Sequence, residues 1–462
     1  MKIVDKMKDE ELGLALIYNF TKGYGQPVPM DLYDIVLPFL YHDYFRDMVL
    51  TCDTLYECIQ ACKANDSHFA EDMVESIENY KTMTSKALGM SVIQRVLSFK
   101  IINQTMSGVL ESSSIIDLNE AICLGKMVQS LDMEAILNLL QESIKKIVVL
   151  QSDSVGQDVD LSKLKALGQV EFYPQVMQDE VREIIKDANI VITNKNLLTE
   201  KELDGLDQLE LICLFATGTN NVDLEYCKEK GIRVCNVKGY STDTVAQHTL
   251  SLLMHLIEKN QQYDHYVKSK DYTRCSSFSF FDYVFHDISS MTWGIVGLGD
   301  IGKKVASIAE AMGANVQYYS TSGQNNSNDY QQVDFDTLLK TSDIITIHAP
   351  LNEQTKYLFN EEALKSMKDN AYLINVGRGG IIEETALVKV LNKGHLSGVG
   401  LDVFEHEPLK EEDVIYSIQD MSKVILTPHI AWGSIEARQR LVNEVYENIM
   451  AFLNNEERNV VN

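Results

Sequence analysis

The spacing of hydrophobic residues changes once along this chain, near residue 145. Before that point apolar residues recur three or four apart. Met73, Val74, Ile77, Tyr80, Met83, Ala87 and Leu88 mark one helical face within residues 69 to 99. Residues 10 to 20 and 115 to 140 share the period, and Gly23, Gly25, Pro27 and Pro29 supply the turn after the first helix. The pattern predicts a mainly α-helical N-terminal domain over residues 1–145.

From Lys146 onward short β runs alternate with amphipathic stretches. Strands are predicted at Ile147–Leu150, Val170–Tyr173, Ile190–Ile192, Leu211–Phe215 and Arg233–Asn236. A long helical stretch, 243 to 270, leads into six more: Thr292–Val296, Val316–Tyr319, Ile344–Ile347, Tyr372–Asn375, Gly398–Leu401 and Lys423–Leu426. Alternation of this kind predicts an α/β fold with two doubly wound parallel sheets, each covered by helices on both faces. The first sheet, residues 146–241 with a returning helix in 434–462, reads as a flavodoxin-like substrate lobe. The second, 242–433, reads as a Rossmann cofactor lobe. Two chain crossings between the lobes form an expected hinge. The run Gly323–Asp329 reads as a polar loop.

Composition narrows the function. A net charge of −26 argues against nucleic acid or an anionic membrane as partner. Residues 1 to 10 lack a signal core, and no apolar run reaches membrane-spanning length, so a cytoplasmic protein is expected. None of the eight Cys has a partner at the two-residue gap of a zinc knuckle. No metal site is expected, and Cys58 and Cys62 read as a buried helical pair.

The candidate chemistry lies in the second sheet. Gly297-Leu298-Gly299-Asp300-Ile301-Gly302 follows a strand and opens a helix, the setting in which this glycine spacing cradles a pyrophosphate. Gly297 permits a tight turn, Gly299 a close backbone approach and Gly302 close helix–strand packing, while the helix N-terminus offers free N–H groups. Ser320 ends the second strand where an acidic residue ordinarily binds the ribose hydroxyls. NAD is the expected cofactor. NADP stays open, because the acid is missing and residues 320 to 330 carry no Arg or Lys.

Arg378 follows a strand and has the planar fork that suits a carboxylate or a polarised carbonyl. His429, also at a strand end, can hold or release a proton near neutrality. Glu407 has the chemistry to fix its tautomer. Backbone N–H groups of the loop Thr217-Gly218-Thr219 add candidate donors to a substrate carboxylate.

Several motifs occur in one order. They are Ala216-Thr217-Gly218-Thr219-Asn220-Asn221-Val222-Asp223, the glycine fingerprint, His348-Ala349-Pro350, Asn375-Val376-Gly377-Arg378-Gly379, Gly400–Phe404 through Glu407-Pro408, and Thr427-Pro428-His429. On these motifs residues 146–462 resemble the D-isomer-specific 2-hydroxyacid dehydrogenase family, near its glycerate dehydrogenase and hydroxypyruvate reductase branch. The resemblance implies NAD(P)-dependent oxidoreduction of a small 2-hydroxy or 2-oxo acid and a homodimer. It makes Arg378, Glu407 and His429 the catalytic three. It adds His348, Ala349, Pro350, Val376, Gly377, Asp402 and Thr244 to the cofactor contacts, with Asp402 at the nicotinamide amide. Val245-Ala246-Gln247-His248 departs from the Val-Ala-Glu of many members, at a place expected to lie away from the proton relay. Arg438 reads as a surface charge.

The N-terminal block has no counterpart in that family. Around Ile35–Arg46 it resembles the middle component of bacterial three-component ABC systems, which implies a helical module that recruits a protein partner or regulates the enzyme. The competing function is a regulatory or defence-associated scaffold that senses NAD(H) with little turnover.

Overall fold

The computed structural model describes residues 10–93, 97–102, 105–110, 118–141, 145–165, 167–324 and 327–462. The first nine residues, 115–117 of the second helical stretch, and Asn325 and Asn326 of the polar loop lie outside them. Two compact units divide the chain, Met1–Val237 with Val442–Asn462, and Lys238–Leu441.

The first unit opens with α1 (Glu10–Tyr24), α2 (Leu55–Asn65) and α3 (Phe69–Ile93). Alongside them lies a small antiparallel sheet of β1 (Val28–Pro29), β2 (Leu97–Ile102) and β3 (Thr105–Leu110), ordered β1-β3-β2. The helical period expected to reach residue 99 has given way to a strand by Leu97. From Leu97 apolar and polar residues alternate as Leu-Ser-Phe-Lys-Ile, which suits a strand and not a helix. A capping box starts α2. Thr54 Oγ1 accepts the Glu57 N–H at 3.3 Å, and Glu57 Oε2 accepts the N–H groups of Thr54 and Asp53 at 3.2 and 2.7 Å. The other oxygen of this buried carboxylate accepts the hydroxyl of Tyr446 from the C-terminal helix.

The larger sheet of this unit contains β4 (Lys146–Leu150), β5 (Gln169–Tyr173), β6 (Ile190–Thr193), β7 (Leu211–Leu214) and β8 (Arg233–Cys235). All pairs are parallel and the order is β5-β4-β6-β7-β8, the flavodoxin-like winding expected.

The second unit begins with α4 (Thr242–Glu258). The helical stretch expected to run on to 270 breaks at Lys259, which is left-handed at φ 54°, and resumes over Asn260–Lys268. Its sheet comprises β9 (Thr292–Val296), β10 (Asn315–Tyr319), β11 (Gln331–Gln332), β12 (Ile344–Ile347), β13 (Tyr372–Asn375), β14 (Gly398–Leu401) and β15 (Val424–Leu426). Six strands were expected; the seventh, β11, is a two-residue polar edge. The parallel order β11-β10-β9-β12-β13-β14-β15 reverses direction between β9 and β12. Ligands bind such sheets at that switch point, beyond the carboxyl ends of the strands.

Alternate strand residues serve two cores. Val296, Ile345, Ile347, Leu373 and Val399 pack on one face of the sheet. Trp293, Ile295, Ile344 and Ile374 pack on the other, against α4 and α5 (Asp300–Ala311). Burial on both faces explains why these strands read as nearly unbroken apolar runs. The helix α6 (Ile435–Leu453) follows β15.

Candidate active site

At the switch point the turn after β9 is shaped by its glycines. Gly297 has φ +90°, a conformation that residues with a Cβ rarely adopt. A Cβ on Gly302 would stand 2.1 Å from the Gly297 carbonyl oxygen, so only glycine lets α5 close on the turn. Gly299 faces open space and, as the N-cap of α5, leaves the first helical turn without a side-chain cap. Asp300 is exposed and Ile301 half-buried behind it. The His348 N–H donates to the Val296 carbonyl at 2.8 Å, which brings the loop after β12 over the same turn. Ala349 then lies between Gly297 and Gly377, near enough that a Cβ on either would meet its backbone at 3.0 Å. Val376 is buried beside Gly377.

Two buried polar atoms in this region have no partner among the described residues, the Ser320 hydroxyl at the end of β10 and Nδ1 of His348. Burial pushes the His348 imidazole down to about 3, so the ring is neutral, with Nε2 3.0 Å from the Thr346 hydroxyl. An open glycine turn, an uncapped helix start and two orphaned polar atoms fit a dinucleotide, whose pyrophosphate and sugar hydroxyls need such partners.

The second cluster lies at the ends of β13, β14 and β15. His429 Nδ1 and Glu407 Oε2 are 2.6 Å apart, and the two side chains remain 25% and 31% exposed, so the ring keeps a solvent-facing edge. The other Glu407 oxygen accepts the Phe404 N–H at 3.0 Å. Arg378 is half-buried, and its Nη1 donates to the Gly377 carbonyl at 2.8 Å. The Asn375 side chain spans that loop, donating to the Arg378 carbonyl at 2.9 Å and accepting the Gly377 N–H at 3.0 Å.

Asp402 is buried and organises the turn that bears His429. Its Oδ1 accepts the Thr427 hydroxyl at 2.6 Å and the Ile430 N–H at 2.8 Å, and its Oδ2 accepts the Ala431 N–H at 2.8 Å. Burial works to raise its pKa, but hydrogen bonds from His248, Thr427, Ala431 and Ile430 outweigh this and hold the carboxyl below the usual range. His248, next to Gln247, puts Nε2 3.0 Å from Thr427 Oγ1 and 3.5 Å from Asp402 Oδ1. Arg438, expected as a surface charge, is a correction: it is half-buried and its Nε donates to the Gly433 carbonyl at 2.9 Å.

The Thr244 hydroxyl pairs with that of Ser434 at 2.7 Å. Thr217, Gly218 and Thr219 belong to the other unit, past the end of β7, where the Thr217 hydroxyl donates to the Val237 carbonyl at 2.6 Å. Cys58 and Cys62 are buried as expected. No group of metal-binding side chains occurs among the described residues, and no described helix is long and apolar enough to cross a membrane.

Known proteins are similar to this chain in sequence and fold. The family model for the D-isomer specific 2-hydroxyacid dehydrogenase NAD binding domain matches residues 250–431. The glycerate dehydrogenase of Methylorubrum extorquens is 38% identical over 61% of this chain and 88% of its own length. The hydroxypyruvate reductase of Blautia hydrogenotrophica is 33% identical over 69% of this chain and 99% of its own. The chain belongs to the D-isomer-specific 2-hydroxyacid dehydrogenase family. Among solved structures, D-lactate dehydrogenase of Aquifex aeolicus complexed with NAD and lactic acid aligns at a TM-score of 0.59. It is 28% identical and covers 67% of this chain and 96% of its own. As a family member, this protein is an oxidoreductase acting on CH–OH donors with NAD or NADP.

Proposed function

We propose that this protein reduces a small 2-oxo acid of the glyoxylate or hydroxypyruvate type, and oxidises the matching 2-hydroxy acid, with Arg378, Glu407 and His429 as its catalytic residues. The observation that carries the proposal is the 2.6 Å contact between His429 Nδ1 and Glu407 Oε2. A carboxylate on Nδ1 fixes the tautomer and leaves Nε2 to exchange a proton with the substrate. In reduction His429 gives that proton to the forming alkoxide; in oxidation it takes the proton from the hydroxyl. Arg378, its guanidinium anchored by Gly377, binds the substrate carboxylate and polarises the carbonyl. When bound in the glycine cradle, the nicotinamide supplies the hydride in reduction and accepts it in oxidation. The uncapped start of α5 would hold the pyrophosphate and Ser320 would face a ribose hydroxyl, with NAD the favoured cofactor and NADP admitted. His348, Ala349, Pro350, Val376 and Gly377 line the same pocket, while Asp402 and Thr244 support it. The substrate class follows the names of the relatives, which include a glyoxylate reductase of Thermococcus litoralis.

The protein is further proposed to act in the cytoplasm as a homodimer. After Asn260–Lys268 a segment folds around stacked Tyr266 and Phe280, yet Phe278, Phe281 and Val284 are 90%, 76% and 65% exposed. Apolar exposure on that scale suits a second copy of the chain. The N-terminal block is proposed to recruit a protein partner or regulate the enzyme.

The test follows NADH and NADPH absorbance with glyoxylate, hydroxypyruvate, pyruvate and bulkier 2-oxo acids. Turnover of the small acids is expected. Tight NADH binding with no turnover of any of them would replace the enzyme with an NAD(H)-sensing scaffold.

A further inference from the structure

We propose that Trp432 is a positioning residue that aims the His429 imidazole, with Tyr240 as its brace. The inference rests on His429 being the proton-transfer group.

His429 adopts a left-handed backbone, φ 55°, a conformation unfavourable for a residue with a Cβ. Something must hold it there, because the direction of the imidazole follows from that backbone. The His429 N–H donates to the carbonyls of Asp402 and Thr427 at 2.8 and 3.0 Å. The peptide group after His429 is then held from both edges. Its N–H, that of Ile430, donates to Asp402 Oδ1 at 2.8 Å. Its C=O, that of His429, accepts the indole Nε1–H of Trp432 at 3.0 Å. Asp402 fixes one edge of this plane and Trp432 the other.

The indole is itself fixed. Its ring meets that of Tyr240 edge-on, with centroids 6.3 Å apart and planes at 72°. Tyr240 is buried, and its carbonyl accepts Arg440 Nε at 2.9 Å, so the ring sits on an anchored backbone. Burial pushes the Tyr240 hydroxyl up to about 12 against the opposing influences of Ser241 and the Arg378 charge. The same brace stands, through the indole, behind the peptide of the proton-transfer histidine. An indole N–H removed from water needs an acceptor in any role, and here the acceptor is the carbonyl of the residue whose ring is to be aimed. Trp432 does pack against the core around α4, and that separate role has to be kept apart in the test.

Trp432→Phe separates the two, since it keeps an aromatic ring and removes the N–H. One net hydrogen bond near 1 kcal/mol corresponds to about a fivefold change. In the full-length protein, W432F is expected to lower kcat roughly five- to tenfold, while KM for glyoxylate and the Kd for NADH stay within about twofold and the Tm holds. Tyr240→Ala should lower kcat in the same way. In protein labelled at histidine, the His429 ring signal should broaden in W432F, a readout that needs no turnover. Unchanged kcat together with an unchanged ring signal in W432F would overturn the proposal. So would a fall in Tm that accounts for all the lost activity. If the wild type turns over no 2-oxo acid, the enzymatic reading fails, and the ring signal still decides whether Trp432 positions His429.

Discussion

Asp402 grips the turn of His429 through both its main chain and its side chain. Its carbonyl accepts the His429 N–H at 2.8 Å, while its carboxylate takes the next two N–H groups, those of Ile430 and Ala431, at 2.8 Å each. The catalytic geometry proposed for His429 thus depends on a buried charge that is not itself the proton carrier. Asp402→Ala leaves two N–H donors and the Thr427 hydroxyl without their acceptor, which should cost about 3 kcal/mol of stability and at least tenfold in kcat. The Asp402 pKa is depressed in the folded protein, so its stabilisation is present above the unfolded value and lost as pH falls through the folded one. Thermal melts across acid pH should show D402A losing less stability on acidification than the wild type.

Glu384 carries the opposite dependence. Its carboxylate accepts the Glu405 N–H at 2.7 Å, Glu405 returns the bond to the Glu384 N–H at 2.7 Å, and together they pin the loop before Glu407. Burial first, then the facing Glu405 charge, raise the Glu384 pKa. A raised pKa means that its stabilisation is complete below the unfolded value and declines as pH rises through the folded value. Glu384→Gln keeps the accepting oxygen and removes the charge. Its Tm near neutral pH should exceed that of the wild type by about 1–3 °C, and the gap should close toward pH 4. A gap that widens on acidification would contradict this assignment.

Gly299 and Gly302 should fail in different ways. A Cβ at Gly299 meets no protein atom within 4 Å, so Gly299→Ala should melt normally yet bind NADH at least tenfold more weakly, as read by quenching of protein fluorescence. A Cβ at Gly302 collides with the Gly297 carbonyl, so Gly302→Ala should lose both stability and NADH binding.

Ser320, the proposed ribose contact, carries no charge of either sign. Ser320→Asp should repel a 2′-phosphate and pair with ribose hydroxyls, shifting the ratio of the Kd for NADPH to that for NADH upward by tenfold or more. Titrating both nucleotides into wild type and variant reads this directly. An unchanged ratio would place the ribose elsewhere.

How far the sequence could be read follows from the kinds of contact involved. The strands of both large sheets were legible because burial on both faces favours nearly unbroken apolar runs, as in Ile344–Ile347 with its single Thr346. The edge strand Gln331–Gln332 was not, since two exposed glutamines carry no such signal. The β2–β3 hairpin was hidden behind α3, where an alternating run directly follows a helical one. Glu407 and His429 could be paired from motif order and chemistry. His248 could not be placed, because it meets Thr427 across 179 positions and no local spacing rule reaches that far. Trp432 escaped for a different reason. An aromatic residue three positions after His429 looks like core, and only its indole bond to the His429 carbonyl gives it a further role.

The most direct measurement is steady-state reduction of glyoxylate by His429→Gln beside an NADH titration of the same preparation. Loss of the proton donor should lower kcat by about 100-fold or more while the Kd for NADH stays within a few-fold of the wild type. Turnover within tenfold of the wild type would show that the proton comes from another group, and the account of this site would fall.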